Sequence, residues 1–266
     1  MKHICTIFFL FLVSGVSPTA WSEKEIRVYE DFTLWLDCEN RVAVRFQYQL
    51  GKDVGNEPRK NNYRLEKKSE LSLDCQQKSF YSYRGEGYTH LIEKYDRGHL
   101  VPFNHMDHSV SSSDETNYMT NILPQASAMN QQGGAWYHTE LISECFRDYD
   151  VLEIIGGAIW DEDSQYLERH AIRVPKHFWK VIVRGDDVIA WIIPNSKEGT
   201  EDRIDDFLVS VKEIEQRIDD VIPVPDSLKG KKVEKAWDGK YCDRHSDKDC
   251  WEIKYCDRHS DINWRS

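Results

Sequence analysis

Strand-forming and helix-forming runs are interspersed along this chain without the strand–helix–strand rhythm of a parallel sheet. That narrows the fold to an α+β domain, with a largely antiparallel central sheet flanked by helices. Val42 to Leu50 (VAVRFQYQL) alternates apolar and polar residues, as a half-buried strand does. Leu91 to His99, Val151 to Ile155 ahead of Gly156-Gly157, Phe178 to Val183 and Val188 to Ile193 are further strand candidates. A helix is expected from Ser113, after the capping box Ser112-x-x-Glu115, carrying Tyr118 and Met119 inward. Another is expected over Ala135 to Tyr149, past the Gly133-Gly134 break, burying Tyr137, Leu141, Cys145 and Phe146 with Glu140 beside that face. Ile204 to Arg217 reads as a helix, or as a short strand followed by one. Asp53 to Ser72 is strongly polar and reads as a surface loop.

The ends read differently. Lys2, the apolar run Ile4 to Val13 and the small residues up to Ser22 have the layout of a secretory signal over residues 1–22. The run is short of the ~20 apolar residues a bilayer span needs, so no stable membrane insertion is expected once it is removed. Export to a periplasmic or extracellular space suits the cysteines. Without Cys5 six remain, Cys38, Cys75, Cys145, Cys242, Cys250 and Cys256, which suggests disulfides, with a Cys38–Cys75 pair and at least one bridge within the tail favoured. The main domain is placed at 23–228. The 229–266 tail, Lys-rich at first, repeats Tyr-Cys-Asp-Arg-His-Ser-Asp at 241–247 and 255–261 and reads as a small disulfide-stapled appendage. The net charge of −11 argues against a passive nucleic-acid coat, though not against an enzyme holding phosphate in a local basic stripe.

Asp96-Arg97-Gly98-His99 sets a base beside a guanidinium. It is followed in order by Asn121-Ile122-Leu123-Pro124-Gln125, Asn130-Gln131, Trp136 and Glu140. These residue types are what metal-assisted attack on a phosphodiester needs: an activated water, charge neutralisation on the phosphate, and help for the leaving oxygen. His99 is the natural base. Mg²⁺ keeps several waters and accepts a single carbonyl ligand, which Asn130 can supply while Glu140 holds metal-bound water. The Gly133-Gly134 break frees Asn130 from Glu140's helix. Asn121 can fix the imidazole or a neighbouring loop, and Arg97 can neutralise transition-state charge.

At these residues the chain resembles the DNA/RNA non-specific endonucleases, the endonuclease G-like ββα-metal (His-Me finger) group. The likeness extends through Val174-Pro175-Lys176, Phe178-Trp179-Lys180 and Ile193-Pro194-Asn195 to about residue 225. The resemblance implies a ββα-metal motif and Mg²⁺, with Mn²⁺ as the alternative. It implies His99 as general base, Asn130 as metal ligand and Glu140 ordering metal-bound water, with DNA and RNA cleaved to 5′-phosphate ends through phosphate contacts. It also implies an upstream phosphate-binding arginine followed closely by an aromatic. Arg59 with Tyr63 fits best and Arg64 next. The chain departs from the family pattern twice: Gln131 to Gly134 is two residues longer, and Glu144 stands where several members carry arginine, with Arg147 as a candidate substitute.

Bland alternatives stand beside this. Asp96 to His99 alone would be an ordinary turn. His99, His105 and His108 would make a zinc cluster only if they converged, and loop histidines are more often solvated. A catalytically silent binding module on a nuclease fold, or a nuclease effector targeted by the 229–266 tail, are the rival functions. Oligomeric state is left open.

Overall fold

The computed structural model describes residues 24–84, 90–91 and 93–237. The expected signal and the duplicated tail segment lie outside the described residues. In chain order come β1 (Glu25–Val28), β2 (Phe32–Asp37), β3 (Val42–Leu50), β4 (Tyr95–His99), α1 (Val110–Glu115), β5 (Ile122–Ala126), α2 (Ser127–Asn130) and α3 (Ala135–Phe146). There follow β6 (Leu152–Ile159), β7 (Tyr166–Leu167), β8 (Ile172–Arg173), β9 (His177–Arg184), β10 (Asp187–Pro194), α4 (Val211–Ile218) and α5 (Asp226–Lys229). A six-stranded sheet has the order β1-β2-β3-β6-β9-β10, and every neighbouring pair is antiparallel. This is the α+β fold the interspersed pattern implies.

Because side chains alternate across a strand, the central strands feed two cores. Ile154, Ile182 and Ile189 enter the larger core, which also takes Leu123, Met129, Trp136 and Ile142 from β5, α2 and α3. Their neighbours Ile155, Val181, Val183 and Val188 face the opposite way, onto Val211 and Ile214 of α4 and Leu228 of α5. The sheet is therefore covered on both faces, and the ribbon carrying the histidine motif lies on the larger core.

Several elements depart from the expected bounds. Helix α1 is capped by Ser109, whose hydroxyl accepts from the Ser112 amide, so it begins three residues early and ends before Tyr118. Strand β6 runs through Gly156-Gly157 rather than stopping there. A Cβ on Gly156 would stand 2.3 Å from the Phe46 ring, and one on Gly157 2.1 Å from the Val44 carbonyl, so these glycines admit β3's side of the sheet. Tyr137 is only half-buried and opens onto a cleft, while Trp136 takes the core position. Residues 201–207 are a 3-10 turn rather than the start of a long helix; α4 begins after a capping box of Ser210 and Glu213.

The Cys38–Cys75 disulfide forms as expected. It ties β2 to a long irregular segment that carries Arg59 and Tyr63. Cys145, in the last turn of α3, is also disulfide-bonded. Trp237 lies beyond residue 228 yet is buried in the larger core, its ring 5.1 Å from that of Phe146.

Candidate active site

Strand β4 pairs antiparallel with β5, placing His99 opposite Ile122 and Gly98 opposite Leu123. Gly98 is bare for a reason of space. A Cβ there would lie 2.1–2.4 Å from side-chain atoms of Gln125, which crosses the strand at that point. Gln125 Nε2 donates to the His99 carbonyl at 3.3 Å, and the indole Nε1 of Trp136 donates to the same oxygen at 3.3 Å. The glutamine and tryptophan of the later motifs thus hold the backbone of the histidine. Asn121 secures the loop that follows: its Oδ1 accepts from the Val101 amide at 2.9 Å, and its Nδ2 donates to the carbonyls of Val101 and Thr116 at 2.9 Å. Of its two expected roles, Asn121 fixes the loop and leaves the imidazole to another residue.

That residue is Asn117. Its Oδ1 lies 3.1 Å from His99 Nε2, while its Nδ2 donates to Asn62 Oδ1 at 2.7 Å and to the Lys60 carbonyl at 3.4 Å. With the amide nitrogen committed to two acceptors, the oxygen faces the ring, so Nε2 carries the hydrogen. The lone pair is then on Nδ1. Burial, the nearby guanidinium of Arg59 and that of Arg97 hold the imidazole down to about 3, against the pull of Asn117, so the ring is neutral at pH 7. Nothing in the polar run Ser112 to Asn117 distinguishes Asn117 by sequence.

Arg97 and His99, two residues apart on β4, project to one face of the ribbon. The Arg97 guanidinium stacks 3.8 Å over the Tyr63 ring, whose centroid lies 5.6 Å from that of His99. Arg59 is exposed and lines a cleft of about 580 Å³ together with Asn130, Glu140, Asn104, Asp107 and Tyr137. It is thus the arginine common to the histidine and the cleft. Arg64 instead stacks 4.1 Å over Tyr118 and pairs through its backbone with the same residue.

Asp96 connects the histidine motif to the cleft. It forms an ion pair with Arg84, accepts from Gln131 Nε2 at 2.9 Å and from Asn130 Nδ2 at 3.4 Å. A carboxylate takes only donors, so the Asn130 amide nitrogen faces Asp96 and its carbonyl oxygen is turned elsewhere. An amide carbonyl on α2 and the Glu140 carboxylate on α3 then line one cleft. Oxygen donors so few and so hard fit a hydrated divalent cation that retains most of its own waters. The longer Gln131 to Gly134 stretch does not separate the two residues. It folds as a tight turn, with Gly133 at φ 88°, pinned by hydrogen bonds from Gly134 to Gln131 and from Glu201 to Gly133.

Behind α3, the buried ammonium of Lys180 donates to Thr139 Oγ1 at 2.7 Å and sits 3.8 Å over the Trp136 ring. Burial brings it down to about 8, with Glu140 acting the other way.

Arg147 does not replace the family's arginine in the cleft. It is buried, donates to the Gly51 carbonyl at 2.7 Å and pairs with Glu144 at 3.2 Å. Glu144 also accepts from Asn104 Nδ2 at 2.9 Å and stands 3.1 Å from His105 Nε2. Burial opposes its charge, but His105 and Arg147 together keep it below the usual carboxylate range. The three histidines of the zinc alternative go to different partners: His99 to Asn117, His105 to Tyr48 and Glu144, His108 to Asp31. His105 is buried rather than solvated.

A sheet-backed antiparallel ribbon thus ends in a neutral histidine beside a cleft with one amide oxygen, one carboxylate and an exposed arginine. Residues 15–224 match the family model described as DNA/RNA non-specific endonuclease, and the chain belongs to that family. Mitochondrial endonuclease G of Bos taurus is 28% identical over 162 residues, covering 55% of this chain and 51% of the relative. The nuclease of Serratia marcescens is 31% identical over 137 residues, covering 47% and 49%. The chain thus spans about half the length of these relatives. A chain of the solved EndoG/EndoGI complex superposes with a TM-score of 0.60 at 22% identity, covering 78% of this chain and 91% of that one. At that identity the match speaks for the fold.

Proposed function

We propose that the protein is an exported, Mg²⁺-dependent, sugar-non-specific endonuclease that hydrolyses phosphodiester bonds in DNA and RNA. The observation that carries this reading is the ring orientation of His99. Asn117 holds the Nε2 hydrogen, burial and Arg59 keep the ring neutral, and the free Nδ1 is left to take a proton from water. Arg59 and Arg97 take the phosphate, and their charges neutralise the negative charge that grows as water attacks. Asn130 would hold the cation through its carbonyl oxygen. Glu140 would accept hydrogen bonds from the cation's hydration shell, and Asn121 keeps the loop after His99 in place. When bound, Mg²⁺ (or Mn²⁺) stabilises charge on the departing 3′ oxygen. The products are 5′-phosphate ends. Contacts to phosphate rather than to bases make cleavage weakly selective for sequence.

Export is supported by the Cys38–Cys75 bridge and the further disulfide at Cys145, which suit an oxidising compartment, periplasmic or extracellular. Nicking of supercoiled plasmid and of a structured RNA, in Mg²⁺ and in EDTA, tests the reading. Cleavage of both polymers in Mg²⁺ that EDTA abolishes is expected; cleavage unaffected by EDTA contradicts it.

A further inference from the structure

Arg97 links the reactive histidine to a surface feature the reaction itself does not use. Besides stacking on Tyr63, its Nη1 donates to the Phe80 carbonyl at 3.0 Å. Phe80 and Tyr81 stand out of the surface, 42% and 59% exposed, with ring centroids 4.7 Å apart and planes 26° from parallel. Single exposed apolar residues need no explanation. Two adjacent rings stacked on each other, with their backbone fastened, are a different matter.

The fastening is extensive. On one side, buried Gln77 donates to the carbonyls of Met119 and Ile122 at 3.1 and 2.6 Å. On the other, buried Tyr83 donates its hydroxyl to Gln77 Oε1 at 2.8 Å. The Tyr81 carbonyl lies 3.1 Å from Nε2 of buried His170, which must donate because a carbonyl only accepts. With the Arg97 contact, the carbonyls of both exposed residues are held. The rings are thus presented outward from a clamped backbone, so a flat ligand meets a surface ordered in advance.

The surroundings are cationic although the chain is acidic. Arg169 is exposed with its guanidinium 5.5 Å from the Tyr81 ring, Lys78 is exposed two residues before Phe80, and Arg97 holds the Phe80 carbonyl. Aromatic faces among cations, connected to a phosphate-binding arginine, are what a single-stranded nucleic acid recognises. Bases stack on the rings while the backbone follows the charge, with little sequence preference because every base has a π-face. A base inside a duplex is already stacked on both sides and gains less.

We propose that Phe80 and Tyr81 form a base-stacking ledge for an unpaired base of the strand whose phosphate is held at Arg59 and Arg97, biasing the enzyme toward single-stranded or locally unpaired substrate. This rests on the nuclease reading above.

The test uses the full chain carrying His99→Ala, so that bound strands survive, and two labelled oligodeoxynucleotides: one with bases, the other of equal length and abasic throughout. By fluorescence anisotropy the base-bearing strand should bind about tenfold tighter, the scale of one good stacking contact. Adding Phe80→Ala and Tyr81→Ala should erase that preference without changing affinity for the abasic strand. Phe80→Trp with Tyr81→Trp should keep it. Quenching of a 2-aminopurine base on binding should follow the same order. A preference that survives the double alanine change, or parent protein that binds both strands equally, overturns the ledge. If wild-type protein nicks plasmid in Mg²⁺ while either result is obtained, the ledge alone has failed. If wild-type protein neither nicks nor binds either strand, the nuclease reading has failed and the ledge with it.

Discussion

The imidazole Nε2 of His99 lies 3.1 Å from Asn117 Oδ1, and this contact sets which ring nitrogen carries the hydrogen. Since Asn117 gives its own hydrogens to Asn62 and Lys60, its oxygen must accept, which leaves the lone pair on Nδ1, the nitrogen that takes the proton in the proposed reaction. Asn117→Ala frees the ring to rotate and change tautomer. We expect kcat to fall about ten- to a hundredfold, the usual cost of losing an orienting partner, with KM little changed. Steady-state cleavage of a short duplex checks the split. A KM effect alone would make Asn117 a substrate contact instead.

Asp96 sets the orientation of Asn130 by accepting from its amide nitrogen at 3.4 Å. Asp96→Asn removes that constraint, since an amide offers both a donor and an acceptor. The Asn130 carbonyl would then be less firmly presented. About tenfold more Mg²⁺ should be needed for half-maximal cleavage, and Mn²⁺ binding followed by electron paramagnetic resonance should weaken in parallel. Unchanged Mn²⁺ affinity would remove Asp96 from this role.

Gly98→Ala forces a methyl into the Gln125 side chain, 2.1–2.4 Å away. Gln125 is buried and also holds the His99 carbonyl, so it cannot swing aside without loss. Overpacking of this kind costs about 1–3 kcal/mol. A lowered thermal midpoint, together with reduced activity in protein that is still folded, is the expected result.

Buried histidines make the fold acid-labile. Burial holds His99 at about 3 and His170 at about 4, and lowers His105 and His177 as well, all from 6.5. The unfolded chain therefore binds more protons than the folded one below pH 6.5, and stability rises with pH in that window. The contribution is full above pH 6.5 and is lost progressively toward pH 4. Asp107, raised to about 6 by burial and by Asp53, acts in the opposite sense, as do Asp53 and Glu115, which burial also raises; the four histidines are joined by Glu144, Glu213 and Asp220, whose carboxyls are held low. Urea midpoints should fall steadily from neutral pH to about pH 4.5.

Much of this site was legible in the order of residues along the chain. The histidine stands at a strand end as the β-rich approach implies, and β3 occupies Val42–Leu50 because its alternation matches the pleat. What was hidden depends on contacts made across the fold. Asn117 gains its role only when Lys60 and Asn62 reach it from a segment that reads as bare loop. The choice between Arg59 and Arg64 turns on Tyr118 capturing Arg64. Arg147 looked available for phosphate until the Gly51 carbonyl, 96 residues away, is seen to hold it. Strand β6 passes through two glycines that read as a break, because the Phe46 ring and the Val44 carbonyl fill the space that side chains would need.

The central claim is that His99 is the base, and removing its imidazole tests that most directly. His99→Ala protein should keep the wild-type circular dichroism spectrum and unfold cooperatively, yet nick supercoiled plasmid in Mg²⁺ at least about a hundredfold more slowly. Nicking at the wild-type rate by that folded variant would contradict the account.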